Sequence, residues 1–501
     1  MTVLSQPPDP DPATPDSVPL PVLPADLPPV ERRAVIPPGF VSGATTCGIK
    51  ASGRPDLAVV RTTAGPAAAA AIFTANAFAA PPVRLSRTHL AATAAAPPPS
   101  PELGARFGIA PDEPVGTGDT GGGCGLADAI VVTSGSANAA TGQAGHDDQV
   151  AIAVALATAV GTAPERTLHM STGIIGTRLP VERVRDGIAR LTASPEGDAG
   201  GGLSAAEEDL HATAVAMRTT DSVTKVATTT VALPDPDGLA VRSVRVTGIA
   251  KGVGMIHPQM ATMLSILLTD AAVPPAVLRA LLRTAAARTW NQLSVDGDTS
   301  TNDTVFLLAS GAAGTAPVAA GSRTAAILGS AVEAVARDLA RQQAADGEGA
   351  STVITCQVSG ALDDSDARAV ARAVVSSSLV KAAVHGRDPN WGRIAGAAGN
   401  ATLGSAAVLE AGGLSPEAAR TRSGVAATVD PDRLRIGVAD ELVYDGPAGG
   451  PVAFDRAAAR TRMDAPEVVI RLDLGLGRAT GEAFGCDLTE EYVRENSEYT
   501  T

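Results

Sequence analysis

Aromatic side chains are nearly missing from this chain: Phe, Tyr and Trp together make up 2% of its 501 residues. The core must therefore come from Ala, Val, Leu and Ile, and a hydrophobic share of 45% supplies enough for a sizeable one. Basic residues are also short, 39 against 53 acidic ones, which leaves a formal charge of -14. That balance argues against a nucleic-acid partner, since phosphate binding needs a basic surface. Cys47, Cys124, Cys356 and Cys486 are scattered with no CxxC spacing, so neither a disulfide framework nor a thiolate metal site is expected. The six histidines form no HxxxH pair, so no zinc site is expected. No run of about 18 apolar residues occurs. The N-terminus lacks the basic start and apolar stretch of a secretory signal. A soluble, cytoplasmic protein with no membrane partner is the expectation.

Two segments have too little apolar content to pack. Residues 1–33 are dominated by Pro and Asp and read as a disordered or extended tail. Residues 94–125 carry Pro and Gly clusters and read as an insertion looping out of an ordered fold. Elsewhere, short β-branched stretches at 56–62, 129–133, 241–250, 304–311, 351–360 and 467–475 read as strands. Ala/Leu/Arg-rich stretches at 148–160, 275–289, 324–345 and 366–383 have helical spacing. Such alternation predicts an α/β or α+β fold with helices covering sheets.

Two motifs match only in letters. Gly116-x-Gly118-x-x-Gly121 lacks the strand before it and the helix after it that a dinucleotide site requires. Asp296, Asp298 and Ser300 resemble the start of a calcium loop, but Thr301 stands where that loop needs Gly and Leu307 where it needs Glu.

The informative stretch is AKGVGMIHPQMATMLSILLTDA, residues 250–271, where a Gly-punctuated turn meets an apolar run at Met-Ala-Thr. Further distinctive blocks surround it: PPGFVSGATTCGIK (37–50), SGSANAATG (134–142), STGIIG (171–176), TTDSVTK (219–225), SVDGDTSTNDTVFLLASG (294–311), DGEGAS (346–351), GRDPNWGR (386–393) and YVRENSEYTT (492–501). In these residues and their order the chain resembles the ornithine acetyltransferase (glutamate N-acetyltransferase) family from about Ala34 to its last residue. It departs at His257, where the family usually carries Ala or Glu, and at Gln259, where it carries Asn or Asp. Thr133, Ser136 and Ala140 also replace two Asn and a Cys of the common pattern.

The resemblance implies that the chain cuts itself between Ala261 and Thr262, and that the freed Thr262 becomes the nucleophile. A Thr hydroxyl needs a base within hydrogen-bond reach. The new α-amine, with a reference pKa of about 7.7–8.0, would supply one without a histidine. Thr172 and Gly173 match the family's oxyanion positions, a hydroxyl and a backbone N–H for the developing charge. Lys251, eleven residues before Thr262, suits a substrate α-carboxylate, and Glu348 suits its ammonium group. Thr219 and Thr220 share one substrate position between them, and Asn496 and Thr501 match the C-terminal pair. Asp296, Asp303, Arg387, Asp388 and Trp391 read as architecture.

The implied fold is α/β, layered sheets covered by helices of N-terminal-nucleophile type. It would be one large unit made of two self-cleaved chains, 34–261 and 262–501, paired into an α2β2 assembly. The implied reaction moves the acetyl group of N2-acetylornithine to glutamate in arginine biosynthesis, with no cofactor. Part of the family also acetylates glutamate from acetyl-CoA as co-substrate. The alternatives are a paralogous acyltransferase of specialised metabolism with another amino-acid-like acceptor, and an N-terminal-nucleophile amidase using water.

Overall fold

Alternating burial along the strands, with both alternations apolar, sets the layering. In a computed structural model describing residues 27–116, 123–193, 202–235, 240–257 and 263–498, a six-stranded sheet runs in the order Cys124–Ala127, Ala67–Phe73, Thr304–Ala309, Leu264–Thr269, Val241–Lys251, Lys225–Pro234. One face of it, with Ile72, Val246, Leu267 and Val305, packs under the helices Pro275–Arg288 and Arg323–Ala345. The residues between these, including Phe73, Ile266, Phe306 and Leu308, point the other way. They meet Val60, Ile130, Val132 and Met170 of a four-stranded sheet ordered Phe40–Thr45, Leu57–Thr62, Ala129–Ser136, Thr167–Ile174. The far face of that second sheet is covered by the helices Gly142–Val160 and Val181–Thr192. The order is helix, sheet, sheet, helix, an α/β fold of layered sheets, and strands buried on both faces read as continuous apolar runs.

A seven-stranded sheet has its own core. Val353–Ala361 pairs with Glu467–Asp473 and with Ala479–Cys486, and helices Asp364–Ser376 and Trp391–Gly399 cover one face. Among the described residues no helix is long and apolar enough to cross a membrane. The four cysteines are buried and form no disulfide.

Three local readings change. Residues 27–33 lie against the six-stranded sheet: Glu31 bridges to Thr228, and the Pro29 carbonyl accepts from the Thr229 hydroxyl at 2.7 Å. Within 94–125, Pro101–Phe107 is a helix. Ser100 caps it through the Leu103 N–H, Pro101 occupies its first turn, and Gly108 ends it at φ 66°. Its Leu103 and Phe107 are buried in the core, which is why the segment folds inward rather than looping out. The helix read at 366–383 breaks at Ser377, whose hydroxyl caps the following helix Ser378–His385 at the Val380 N–H.

The Ala261/Thr262 junction falls inside the six-stranded sheet's connectivity. Val241–Lys251, before it, pairs antiparallel with Leu264–Thr269, after it, from Val246↔Thr269 to Lys251↔Leu264. Ala67–Phe73 likewise pairs with Thr304–Ala309.

Candidate active site

The two sheets end together at a small polar cavity of about 130 Å³. Its walls hold seven residues expected from sequence: Thr172, Gly173, Thr219, Thr220, Lys251, Glu348 and Asn496. Ala261, Thr262 and Thr501 lie outside the described residues, as does Gln259.

Thr172 and Gly173 stand near the end of strand Thr167–Ile174. Gly173 has φ 128° and pairs with Gly135 of the neighbouring strand; a Cβ on Gly173 would sit 2.4 Å from the Gly135 carbonyl carbon. Only glycine fits that approach. Asn302, itself in the cavity wall, holds the same segment, donating to the Ser171 carbonyl at 2.9 Å and the Ala137 carbonyl at 2.6 Å.

Lys251 ends strand Val241–Lys251, and its ammonium donates to the Thr172 hydroxyl oxygen at 3.1 Å. An ammonium can only donate, so the Thr172 oxygen accepts and its own hydrogen is left to donate elsewhere. Burial lowers the Lys251 pKa, and the Asp221 carboxylate opposes that fall. Glu348 sits across the cavity in the turn after helix Arg323–Ala345. Its carboxylate accepts from the Thr220 hydroxyl at 2.9 Å and the Asn496 amide at 3.1 Å. Gly254 makes room for it, because a Cβ there would lie 2.1 Å from a Glu348 oxygen.

The loop that carries Thr219 and Thr220 is pinned by an ion cluster with no sequence-level assignment. Buried Asp221 accepts from the Thr219 N–H at 3.1 Å, the Gly252 N–H at 2.8 Å and the Lys225 ammonium at 2.8 Å. Lys225, fully buried, also reaches Asp346 at 2.6 Å. Burial alone would raise the Asp221 pKa, but Lys251, Lys225 and the Gly252 N–H outweigh it and pull the group down to about 2. The one sequence signal was an oppositely charged i, i+4 pair inside TTDSVTK.

Of the residues read as architecture, Asp296 closes a turn through the Asp298 N–H at 3.1 Å and ties it to a distant segment, taking the Met255 N–H at 2.5 Å and the Ile256 N–H at 2.9 Å. Trp391 stacks on Tyr444 with ring centroids 5.2 Å apart. Asp303 does more than close a turn: it is fully enclosed, one carboxylate oxygen has no hydrogen-bond partner, and burial pushes its pKa well up despite the nearby Lys251 charge. His257 does not line the small cavity; it faces a separate, larger one, with Nδ1 3.0 Å from the Ser294 hydroxyl.

A cation and a carboxylate thus face one cavity, with a hydroxyl held by the cation between the sheets. The arrangement can grip a small zwitterion and offer hydrogen-bond donors to a developing oxyanion.

Comparisons with known proteins identify the family. The ArgJ family model matches residues 41–501. The "Arginine biosynthesis bifunctional protein ArgJ" of Thermus thermophilus is 40% identical over 466 residues, covering 93% of this chain and 99% of that protein. The protein of the same name from Synechocystis sp. is 40% identical over 487 residues, 95% of this chain and 100% of that one. A solved structure of the arginine biosynthesis bifunctional protein argJ from Bacillus halodurans is 35% identical and spans 48% of this chain and 100% of its own, with a TM-score of 0.40. The chain belongs to the ArgJ family.

Proposed function

We propose that the chain is a glutamate N-acetyltransferase of arginine biosynthesis, working through a Thr262 acyl-enzyme formed after self-cleavage between Ala261 and Thr262. The observation that carries this reading is the pairing, on one cavity, of Lys251 with Thr172 and of Glu348 with Thr220 and Asn496. These residues come from both sides of residue 261, and Met263, next after Thr262 in sequence, is tied to Thr304 by a 2.8 Å hydrogen bond.

In this reading Lys251 holds the α-carboxylate of N2-acetylornithine and Glu348 its ammonium group. The Thr262 α-amine accepts the Thr262 hydroxyl proton as the oxygen attacks the acetyl carbonyl. The oxyanion lies against the Thr172 hydroxyl and the Gly173 N–H. Collapse breaks the amide C–N bond, the departing nitrogen takes the proton from the α-amine, and ornithine leaves. Glutamate's neutral amine then attacks the ester, N-acetylglutamate departs, and the Thr262 hydroxyl is restored. The ester conserves the transfer potential of the amide, so the exchange needs no cofactor. Acetyl-CoA enters as an alternative acyl donor for the same threonine, in keeping with the "bifunctional" names of the relatives. The two halves remain one unit and pair into α2β2 in the cytoplasm.

The experiment is to incubate pure protein with N2-acetylornithine and glutamate. N-acetylglutamate and ornithine should appear in equal amounts. Acetate without N-acetylglutamate would mean that water is the acceptor and the chain an amidase. No turnover of N2-acetylornithine would point to a different substrate.

A further inference from the structure

Among the described residues around the small cavity, only Ala137, Ile175 and Met255 present apolar side chains, and they fall into two patches. Met255 follows Gly254, which abuts the Glu348 carboxylate, so it stands at the ammonium end. Ala137 and Ile175 stand at the other end, beside Thr172 and Gly173: the Ala137 N–H donates to the carbonyl of Ile174, the residue after Gly173, at 3.0 Å. With Ala80 and Ala139 they make a small apolar cluster separate from the main cores. The acid, base and oxyanion chemistry uses neither patch.

The wall that carries Ala137 is pinned. It is stitched to the turn after strand Thr167–Ile174 by the Ala137 bond, by the Ser136 hydroxyl donating to the Thr177 carbonyl at 2.8 Å, and by the Gly176 N–H donating to the Ala139 carbonyl at 2.9 Å. The Ala137 carbonyl accepts from both the Ser171 hydroxyl and the Asn302 amide, each at 2.6 Å. Asn138 and Ala140 hold left-handed backbone, φ 48° and 55°, which residues other than glycine rarely adopt. Fully buried Asn138 is kept there by its amide, which donates to the Gly145 carbonyl at 2.9 Å and accepts from the Thr141 hydroxyl at 2.8 Å. A segment so over-determined does not yield cheaply, and the Ala137 Cβ is a fixed stop. Ser136 and Ala140, two of the positions where this chain departs from the family's common pattern, lie in this same wall.

Bond geometry decides what the wall meets. In a tetrahedral intermediate the oxyanion and the rest of the acyl group hang from one carbon, two bonds apart. With the oxygen against Thr172 and Gly173, the acyl chain must fall on the residues that flank them.

We propose that Ala137 and Ile175 are the acyl-length determinants of this site, admitting the methyl of an acetyl group and turning away longer acyl chains. The inference rests on the acetyl-transfer reading and deepens it: the donors are N2-acyl amino acids whose acyl group ends at two carbons. A further methylene must push into a pinned wall, which overpacks it. Met255 meets the amino-acid chain of the donor instead.

The test compares kcat/KM for N2-acetyl-, N2-propionyl- and N2-butyrylornithine, with glutamate as acceptor, in wild type, Ala137→Gly, Ile175→Ala and Met255→Ala. Wild type should use the propionyl donor roughly tenfold or more less well than the acetyl donor, the usual discrimination for one methylene, and the butyryl donor less well again. Ala137→Gly should raise the propionyl-to-acetyl ratio by about tenfold, and Ile175→Ala should extend the gain to butyryl. A gain on longer chains cannot come from a protein that has merely lost its fold. Met255→Ala should raise KM for all three donors together and leave the ratio at its wild-type value. The proposal is overturned if wild type uses the three donors equally well, if neither Ala137→Gly nor Ile175→Ala moves the ratio, or if Met255→Ala moves it as much. Those outcomes leave acetyl transfer standing, whereas a wild-type protein that turns over none of the three donors overturns both this inference and the reading beneath it.

Discussion

Lys251 donates to the Thr172 hydroxyl oxygen at 3.1 Å, joining the end of a strand in the six-stranded sheet to the end of one in the four-stranded sheet. Because the lysine occupies the hydroxyl's acceptor side, the remaining O–H is free to point at substrate. Thr172→Val keeps the shape and removes that donor. Its kcat should fall by about 10²–10³ while KM barely moves, the pattern of a contact made only in the transition state. Steady-state kinetics with N2-acetylornithine decide it, and an unchanged kcat would remove Thr172 from the oxyanion role.

Thr262→Ala should abolish both cleavage and transfer. Denaturing gels of wild type should show two chains of similar mass split after Ala261, and the variant a single chain. A wild-type protein that stays whole yet transfers acetyl groups would refute the shared use of Thr262.

Glu348→Gln keeps an acceptor for Thr220 and Asn496 but loses the charge that answers an ammonium. KM for N2-acetylornithine should rise by roughly 10- to 100-fold, the worth of one hydrogen bond to a charged group, with cleavage intact on a gel. A fall in kcat at constant KM would instead place the carboxylate in the chemical step.

The Asp221–Lys225–Asp346 cluster makes a pH prediction. The folded Asp221 pKa is about 2, below its ordinary 3.8. A depressed acid stabilises the fold above its unfolded pKa and loses that contribution as pH falls through the folded value. Asp221→Asn should therefore be less stable than wild type at pH 7, and the gap should close on acidification from about pH 4 toward pH 2. Lys225→Met removes the ammonium that Asp221 and Asp346 share and should cost about 3–5 kcal/mol. Urea titrations across that pH range read both effects; a gap independent of pH would remove Asp221 from the linkage.

Much of this was legible before the structure because the chemistry sits in contiguous blocks. STGIIG, TTDSVTK and DGEGAS each name a piece of the small cavity, and strands such as 241–251 announce themselves through β-branched residues. The rest was hidden for physical reasons. Ala67–Phe73, AAAAAIF, has the composition of a helix, yet it is a fully buried strand because sheets and helices close over both its faces. The inward helix Pro101–Phe107 carried its signals, Ser100, Pro101 and Gly108, inside a stretch whose overall composition looked like loop. Asp303 gave no local sign, since the enclosure that leaves one of its carboxylate oxygens without a partner is a property of packing.

The antiparallel pairing of Val241–Lys251 with Leu264–Thr269 has a consequence for the life of the mature enzyme. Before the proposed cut, refolding is a first-order event in which a short connection returns one strand to the next. Afterwards the same two strands belong to separate molecules, and refolding becomes second order. Maturation would then leave the native sheet undisturbed while making its recovery from unfolding depend on protein concentration. A precursor locked by Thr262→Ala should recover after dilution from denaturant at any concentration, whereas the mature enzyme should fail when dilute.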